Sequence, residues 1–134
     1  MNIITFGTFD LFHIGHLNML NRCKTYGDKL YIGVSTDELN FKKKNRYPII
    51  NQHDRKKIIE NIRCVDDVFF EEELELKAEY IKKYKADIFI IGDDWTGKFD
   101  DMNEYCKVIY LPRTSYISTT DLRSKIINQS LKNM

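Results

Sequence analysis

Short apolar runs alternate with stretches of helical spacing along the whole chain. Asn2-Ile3-Ile4-Thr5-Phe6 has the β-branched and aromatic character of a buried strand, as do Leu30–Val34, Val68–Phe70, Ile88–Ile91 and Val108–Leu111. Helices are expected between them. Leu17, Leu20 and Cys23 recur at helical spacing until Tyr26-Gly27, and Asn51 can cap a helix carrying Arg55 through Ile62. A further helix spans Ala78 to Tyr84, and Ser118 with Asp121 opens the last one toward Ile127, as in a capping box short by one methylene. Strand and helix in alternation, with nearly continuous apolar strands, predict an α/β fold. Its mainly parallel five-stranded sheet is covered by helices on both faces, and ligands bind at the carboxyl ends of the strands. The segments Gly7–His16, Gly92–Trp95 and Pro112–Ser118 all follow strands and are expected to converge on one crevice. With no linker or internal repeat, residues 1–134 are expected to form a single domain, with 129–134 as a frayed tail.

Composition narrows the picture a little. A formal charge of +1 argues against a broad field for nucleic acid, so an anion site must be a local cluster. No apolar run approaches the roughly 18 residues of a membrane span, and no charged-then-apolar leader opens the chain, so a cytoplasmic location is expected. Cys23, Cys64 and Cys106 are odd in number and far apart, as reduced structural thiols would be.

The candidate chemistry begins at His13-Ile14-Gly15-His16, between the first strand and the first helix. A helix start offers free N–H groups and a positive dipole end to phosphate, and Gly15 leaves backbone accessible to a ligand. Two imidazoles at i and i+3 share a face and can ligate metal, but no nearby carboxylate or thiol completes a set.

The flanking residues decide between these readings. Gly7-Thr8-Phe9-Asp10 followed by His13-x-Gly15-His16 resembles the nucleotide site of the HxGH nucleotidyltransferases, specifically their cytidylyltransferase branch that uses glycerol 3-phosphate. The similarity runs nearly end to end, through Ser35-Thr36-Asp37-Glu38, Arg55-Lys56, Ile62-Arg63-x-Val65-Asp66, Gly92-Asp93-Asp94-Trp95 and Leu111-Pro112-Arg113-Thr114-x-x-Ile117-Ser118-Thr119-Thr120. It implies a Rossmann-like domain that transfers CMP from CTP to a phosphomonoester, releasing pyrophosphate, for a cell-surface glycopolymer. It also implies Mg²⁺ that arrives with CTP rather than in a dedicated protein site. His13 and His16 would donate N–H bonds to the triphosphate, with Thr8, Phe9, Gly15, Asp94, Arg113, Thr114, Ile117, Ser118, Thr119 and Thr120 on the nucleotide side.

Lys42-Lys43-Lys44-Asn45-Arg46, read as a loop after the second helix start, is by itself a solvated charge run or a weak nucleic-acid patch without the interleaved aromatics of a stacking platform. The resemblance instead sets Lys43 at the acceptor phosphate and in the catalytic group with Arg113, leaving Lys44 or Arg46 for a shifted second cation. Lys77 and Arg55 join the acceptor side. Arg63, expected on the same helix as Arg55, falls near a subunit contact and the nucleotide, which implies a homodimer. Ser115-Tyr116 stands where related enzymes have Glu-Gly, so a positive φ at Tyr116 would be strained. Other small phospho-alcohols, such as phosphoethanolamine or a sugar phosphate, are alternative acceptors. A CTP-binding sensor without turnover is the non-enzymatic alternative.

Overall fold

A computed structural model describes residues 1–133. Five parallel strands form one sheet in the order β3-β2-β1-β4-β5. They are β1 (Asn2–Gly7), β2 (Lys29–Ser35), β3 (Asp67–Glu71), β4 (Ile88–Gly92) and β5 (Lys107–Leu111). The chain builds outward from β1 to β3, then returns to the other side of β1 for β4 and β5. This reversal lies between β1 and β4, where an open parallel sheet splays its connections and leaves a crevice.

Helices α1 (Ile14–Lys24), α2 (Asp37–Lys44), α3 (Gln52–Glu60), α4 (Lys77–Lys83) and α5 (Thr119–Lys132) connect or follow the strands. Alternation along the strands sends Ile3, Leu30, Ile32, Val34, Val68, Ile88 and Ile90 into one core with Leu20 of α1 and Ile59 of α3. Ile4, Phe6, Phe69, Phe89 and Ile91 face the opposite core, against Ile81 of α4.

Boundaries differ from the sequence expectation in instructive places. Lys42, Lys43 and Lys44 form the last turn of α2 rather than a loop. Thr36 caps that helix by accepting from Leu39 N–H, and the lysines lie at the end where cations suit the helix dipole. Asn51 caps α3 as expected, but the helix ends at Glu60, so Arg63 does not share it with Arg55. Ser118 caps α5 by accepting from Asp121 N–H. That helix runs through Lys132, into the stretch expected to fray, while Met134 lies outside the described residues.

Arg55 holds the carboxyl ends of the first two strands together. Its side chain is wholly buried, and its guanidinium donates to Thr8 O (2.7 Å), Ser35 O (2.8 Å), Ile50 O (2.8 Å) and Asp37 Oδ1 (2.7 Å). Four of its five N–H donors are spent in this way, and the side chain lies wholly buried behind the cleft wall rather than on the acceptor side where the resemblance sets it. Its planar fork satisfies several oxygens that lysine could not reach at once. Replacing Arg55 by Met removes one partner of a buried ion pair and should lower unfolding free energy in urea by about 3 kcal/mol or more.

Candidate active site

The Gly7–His13 connection leaves β1 in a tight, strained path. Phe9 and Leu11 adopt positive φ (55° and 50°), a region costly for side-chain-bearing residues, so the surroundings must hold them there. Asp10, 3% exposed, does much of this by accepting from Ile49 N–H (2.8 Å), Ile50 N–H (2.9 Å) and Arg123 Nη1 (3.2 Å). Thr8 Oγ1 donates to Asn40 Oδ1 (2.7 Å). The loop is thus tied to α2, to the start of α3 and to α5. The Phe9 ring folds back over Gly7, where an added Cβ would stand 2.9 Å from it.

The two imidazoles themselves start α1. His13 Nδ1 accepts from Gly15 N–H (3.0 Å), and His16 Nδ1 accepts from His13 N–H (3.2 Å), a reciprocal cap made by histidines. Because each Nδ1 is an acceptor, the neutral ring carries its hydrogen on Nε2. Burial, with the neighbouring His13, pushes the His16 pKa down to about 4, and burial also lowers that of His13. Both are therefore neutral Nε2–H donors near pH 7. Their rings stack with centroids 3.8 Å apart. The sequence reading of Gly15 needs amendment: an added Cβ would lie 2.8 Å from His13 Cε1 and 3.2 Å from Ile117. Glycine there admits the chain's own imidazole and the β5–α5 loop.

That loop, Pro112–Ser118, closes the other side. Thr119 Oγ1 donates to Asp10 O (2.9 Å) and lies 3.4 Å from His13 Nε2, joining the start of α5 to that of α1. Asn18 Nδ2 donates to Thr114 Oγ1 (3.1 Å). Tyr116 is 72% exposed and is not among the described residues with positive φ, so the strain expected there does not arise.

These elements enclose one open cleft of about 620 Å³ at the carboxyl end of the sheet. This lies within the roughly 300–1,000 Å³ common for small-molecule sites. Thr8, Phe9, His13, Gly15 and His16 line it from the first loop. Arg113, Thr114, Ile117, Ser118, Thr119 and Thr120 line it from the last, and Lys43, Lys44, Arg46 and Lys77 supply cations. Arg55 is buried outside this wall, Arg63 is exposed outside it, and Asp94 reaches it only through an exposed 3.1 Å pair with Arg113.

Asn40, Arg123, Ser35 and Glu71 also line the cleft, and sequence reasoning did not single them out. Asn40 carries no charge or motif, Ser35 stands only as the first residue of the Ser35-Thr36-Asp37-Glu38 block, and the pairing of Glu71 with Lys77 depends on how β3 turns into α4. Each carboxylate at the cleft is already committed: Asp10 to amides and Arg123, Glu71 to Lys77, Asp94 to Arg113. Among the described residues no cluster of three or more metal-ligating side chains forms. These donor sets do not suit a resident Mg²⁺, which favours free carboxylate and phosphate oxygens.

The fold and cleft agree with what the chain is similar to. Residues 4–125 match the model of the cytidylyltransferase-like family, and the chain belongs to that family. Glycerol-3-phosphate cytidylyltransferase of Bacillus spizizenii is 51% identical over 121 residues, covering 90% of this chain and 93% of the relative. The Staphylococcus aureus enzyme of the same name is 41% identical over 131 residues, covering 97% and 98%. Among solved structures, a lipopolysaccharide core biosynthesis protein from Thermoplasma volcanium superposes with a TM-score of 0.72 at 20% identity. It covers 86% of this chain and 98% of that one, and shares the fold.

Lys43 makes the cleft sensitive to alkali. Burial pushes its pKa down to about 8, against an upward pull from Glu71. Below that value its ammonium attracts anions; above it the charge is lost. Binding of inorganic phosphate, followed by calorimetry, should therefore weaken as pH rises from 8 to 9.5, by up to about tenfold per unit. Lys43→Arg, which keeps its charge, should flatten the profile.

Proposed function

We propose that this protein transfers CMP from CTP to glycerol 3-phosphate, giving CDP-glycerol and pyrophosphate. Two helix starts, α1 and α5, face one cleft, with two Nε2–H imidazoles at the first and lysines along its side. This arrangement, in a chain of this family and with relatives of this name, carries the reading.

The acceptor phosphate, with a second pKa near about 6, is already a dianion at neutral pH and needs no strong base. One of its oxygens bonds to the α-phosphorus of CTP while the bond from that phosphorus to the bridging oxygen breaks, and the electron pair leaves with pyrophosphate. Bringing two polyanions together and stabilising the departing charge are the main tasks. His13 and His16 donate from Nε2 to the α-phosphate and bridging oxygen. The hydroxyls and N–H groups at Ser118–Thr120 hold phosphate oxygens. Arg113 leaves its weak exposed pair with Asp94 to join them. Lys43, with Lys44 or Arg46, takes the acceptor phosphate, and Mg²⁺ belongs to the nucleotide substrate. Cation count alone leaves phosphoethanolamine and sugar phosphates as competing acceptors.

Three finer points belong to the same proposal. The reaction takes place in the cytoplasm, where CTP is made, and its product supplies a cell-surface glycopolymer. Among the described residues no helix is long and apolar enough to cross a membrane. The enzyme works as a homodimer, with Arg63 serving at the subunit contact. Tyr47 and Ile49, 51% and 56% exposed, offer apolar surface beside the lysine-bearing end of α2.

Pyrophosphate release with CTP and glycerol 3-phosphate, compared with ATP as the nucleotide, tests the reaction directly. His13→Ala or His16→Ala should lower kcat by about 100-fold or more. Loss of the helix cap should cost only about 1 kcal/mol of stability, measured in urea on the same preparations. Near-normal turnover in either variant would remove that imidazole from the mechanism.

A further inference from the structure

Lys77 opens α4 yet is only 4% exposed, and its ammonium is enclosed by groups that suit a cation. Glu71, 1% exposed, pairs with it directly. The Phe6 ring lies 4.8 Å from Nζ and the Phe99 ring 5.2 Å. A carboxylate beside aromatic faces is the chemistry that binds alkylammonium ligands. Here the chain supplies the cation itself, and Glu71, Lys77, Phe6 and Phe99 all border the cleft.

The position of this cage matters as much as its content. Ser35 Oγ donates to Glu71 (3.3 Å) and accepts from Lys43 Nζ (3.2 Å). The cage is thus two hydrogen bonds from the lysine assigned to the acceptor phosphate, within reach of the head group of a small phosphomonoester. A second ammonium entering there would meet the Lys77 charge, with the buried carboxylate already neutralised and the ring faces already engaged.

We propose that Lys77 is the specificity-determining residue of the cleft. It is a built-in occupant of a cation cage that admits phospho-alcohols with a neutral hydroxylated end and turns away those ending in ammonium or trimethylammonium. This rests on the cytidylyltransfer reading and narrows its acceptor class. A merely structural ion pair would stabilise the fold without leaving a cation site when Lys77 is shortened.

Two measurements test it. In the wild-type protein with CTP, kcat/KM for glycerol 3-phosphate should exceed that for phosphocholine by at least about 100-fold, with phosphoethanolamine also disfavoured. Values within tenfold would overturn the proposal. Separately, Lys77→Ala vacates the cage and leaves Glu71 without its cation. Tetramethylammonium chloride should then raise the Tm of Lys77→Ala relative to sodium chloride at equal ionic strength. It should do nothing for wild type or Lys77→Met, where the space stays filled. The phosphocholine to glycerol 3-phosphate ratio of kcat/KM should rise at least tenfold in Lys77→Ala, and Glu71→Gln in that background should abolish both gains. If Lys77→Ala folds only when tetramethylammonium is present, that rescue supports the cage. A folded Lys77→Ala indifferent to tetramethylammonium, or an unfolded one not rescued by it, would sink the idea. Because tetramethylammonium binding needs no turnover, it stands apart from the outcome of the wild-type assay, in which no pyrophosphate release with any acceptor would defeat the underlying reaction instead.

Discussion

A single guanidinium, that of Arg55, fixes the geometry on which the cleft depends. It is fully enclosed and gathers the carbonyls of Thr8, Ser35 and Ile50 with the carboxylate of Asp37. Parallel strands end in carbonyls and loops that no neighbouring strand can satisfy, and buried backbone groups left unpaired are costly. One long, planar, permanently charged side chain solves that problem for the ends of β1 and β2 together. Thr8 and Ser35, held this way, are the residues from which the imidazole loop and the lysine-bearing helix depart.

Charge inside the cleft follows a second rule, in which nearly every carboxylate is already answered. Asp10 is spent on amides and Arg123, and Glu71 on Lys77 and Ser35. What remains to attract an anion is positive or neutral-donating: the lysine ends at α2, the Nε2 sides of the imidazoles, and the first backbone N–H groups of α5. A net anion-attracting interior therefore arises in a chain whose total charge is only +1. The distribution achieves what the sum does not.

Much of this was legible in the sequence. The strands were visible as apolar runs because a parallel sheet covered on both faces leaves its central strands little polar alternation. The caps at Asn51 and Ser118 announced their helices through short polar side chains. The start of α2 is legible, but its extension through the lysines is hidden because its buried face amounts to Leu39 and Asn40 amid charge. The burial of Arg55 is hidden for a related reason: nothing in a polar helix shows that an arginine is enclosed until the strand ends that need it are brought alongside. The eight-residue spacing that suggests one helix for Arg55 and Arg63 is broken by the end of α3 at Glu60. The cleft's cations were recognisable individually, whereas the pairing of Glu71 with Lys77 depends on how β3 turns into α4, which local spacing does not reveal.

The imidazole cap of α1 carries a consequence for how this chain can diverge. His13 and His16 face the cleft with Nε2 and terminate the helix with Nδ1, so each ring is bound to two obligations through opposite edges. A descendant that no longer needed the cleft would still need something to begin that helix, and serine or asparagine would fill the vacancy more readily than histidine. Persistence of both imidazoles is therefore a sharper mark of retained chemistry than persistence of the fold, and their joint replacement by ordinary caps would be the signature of a copy turned to another use.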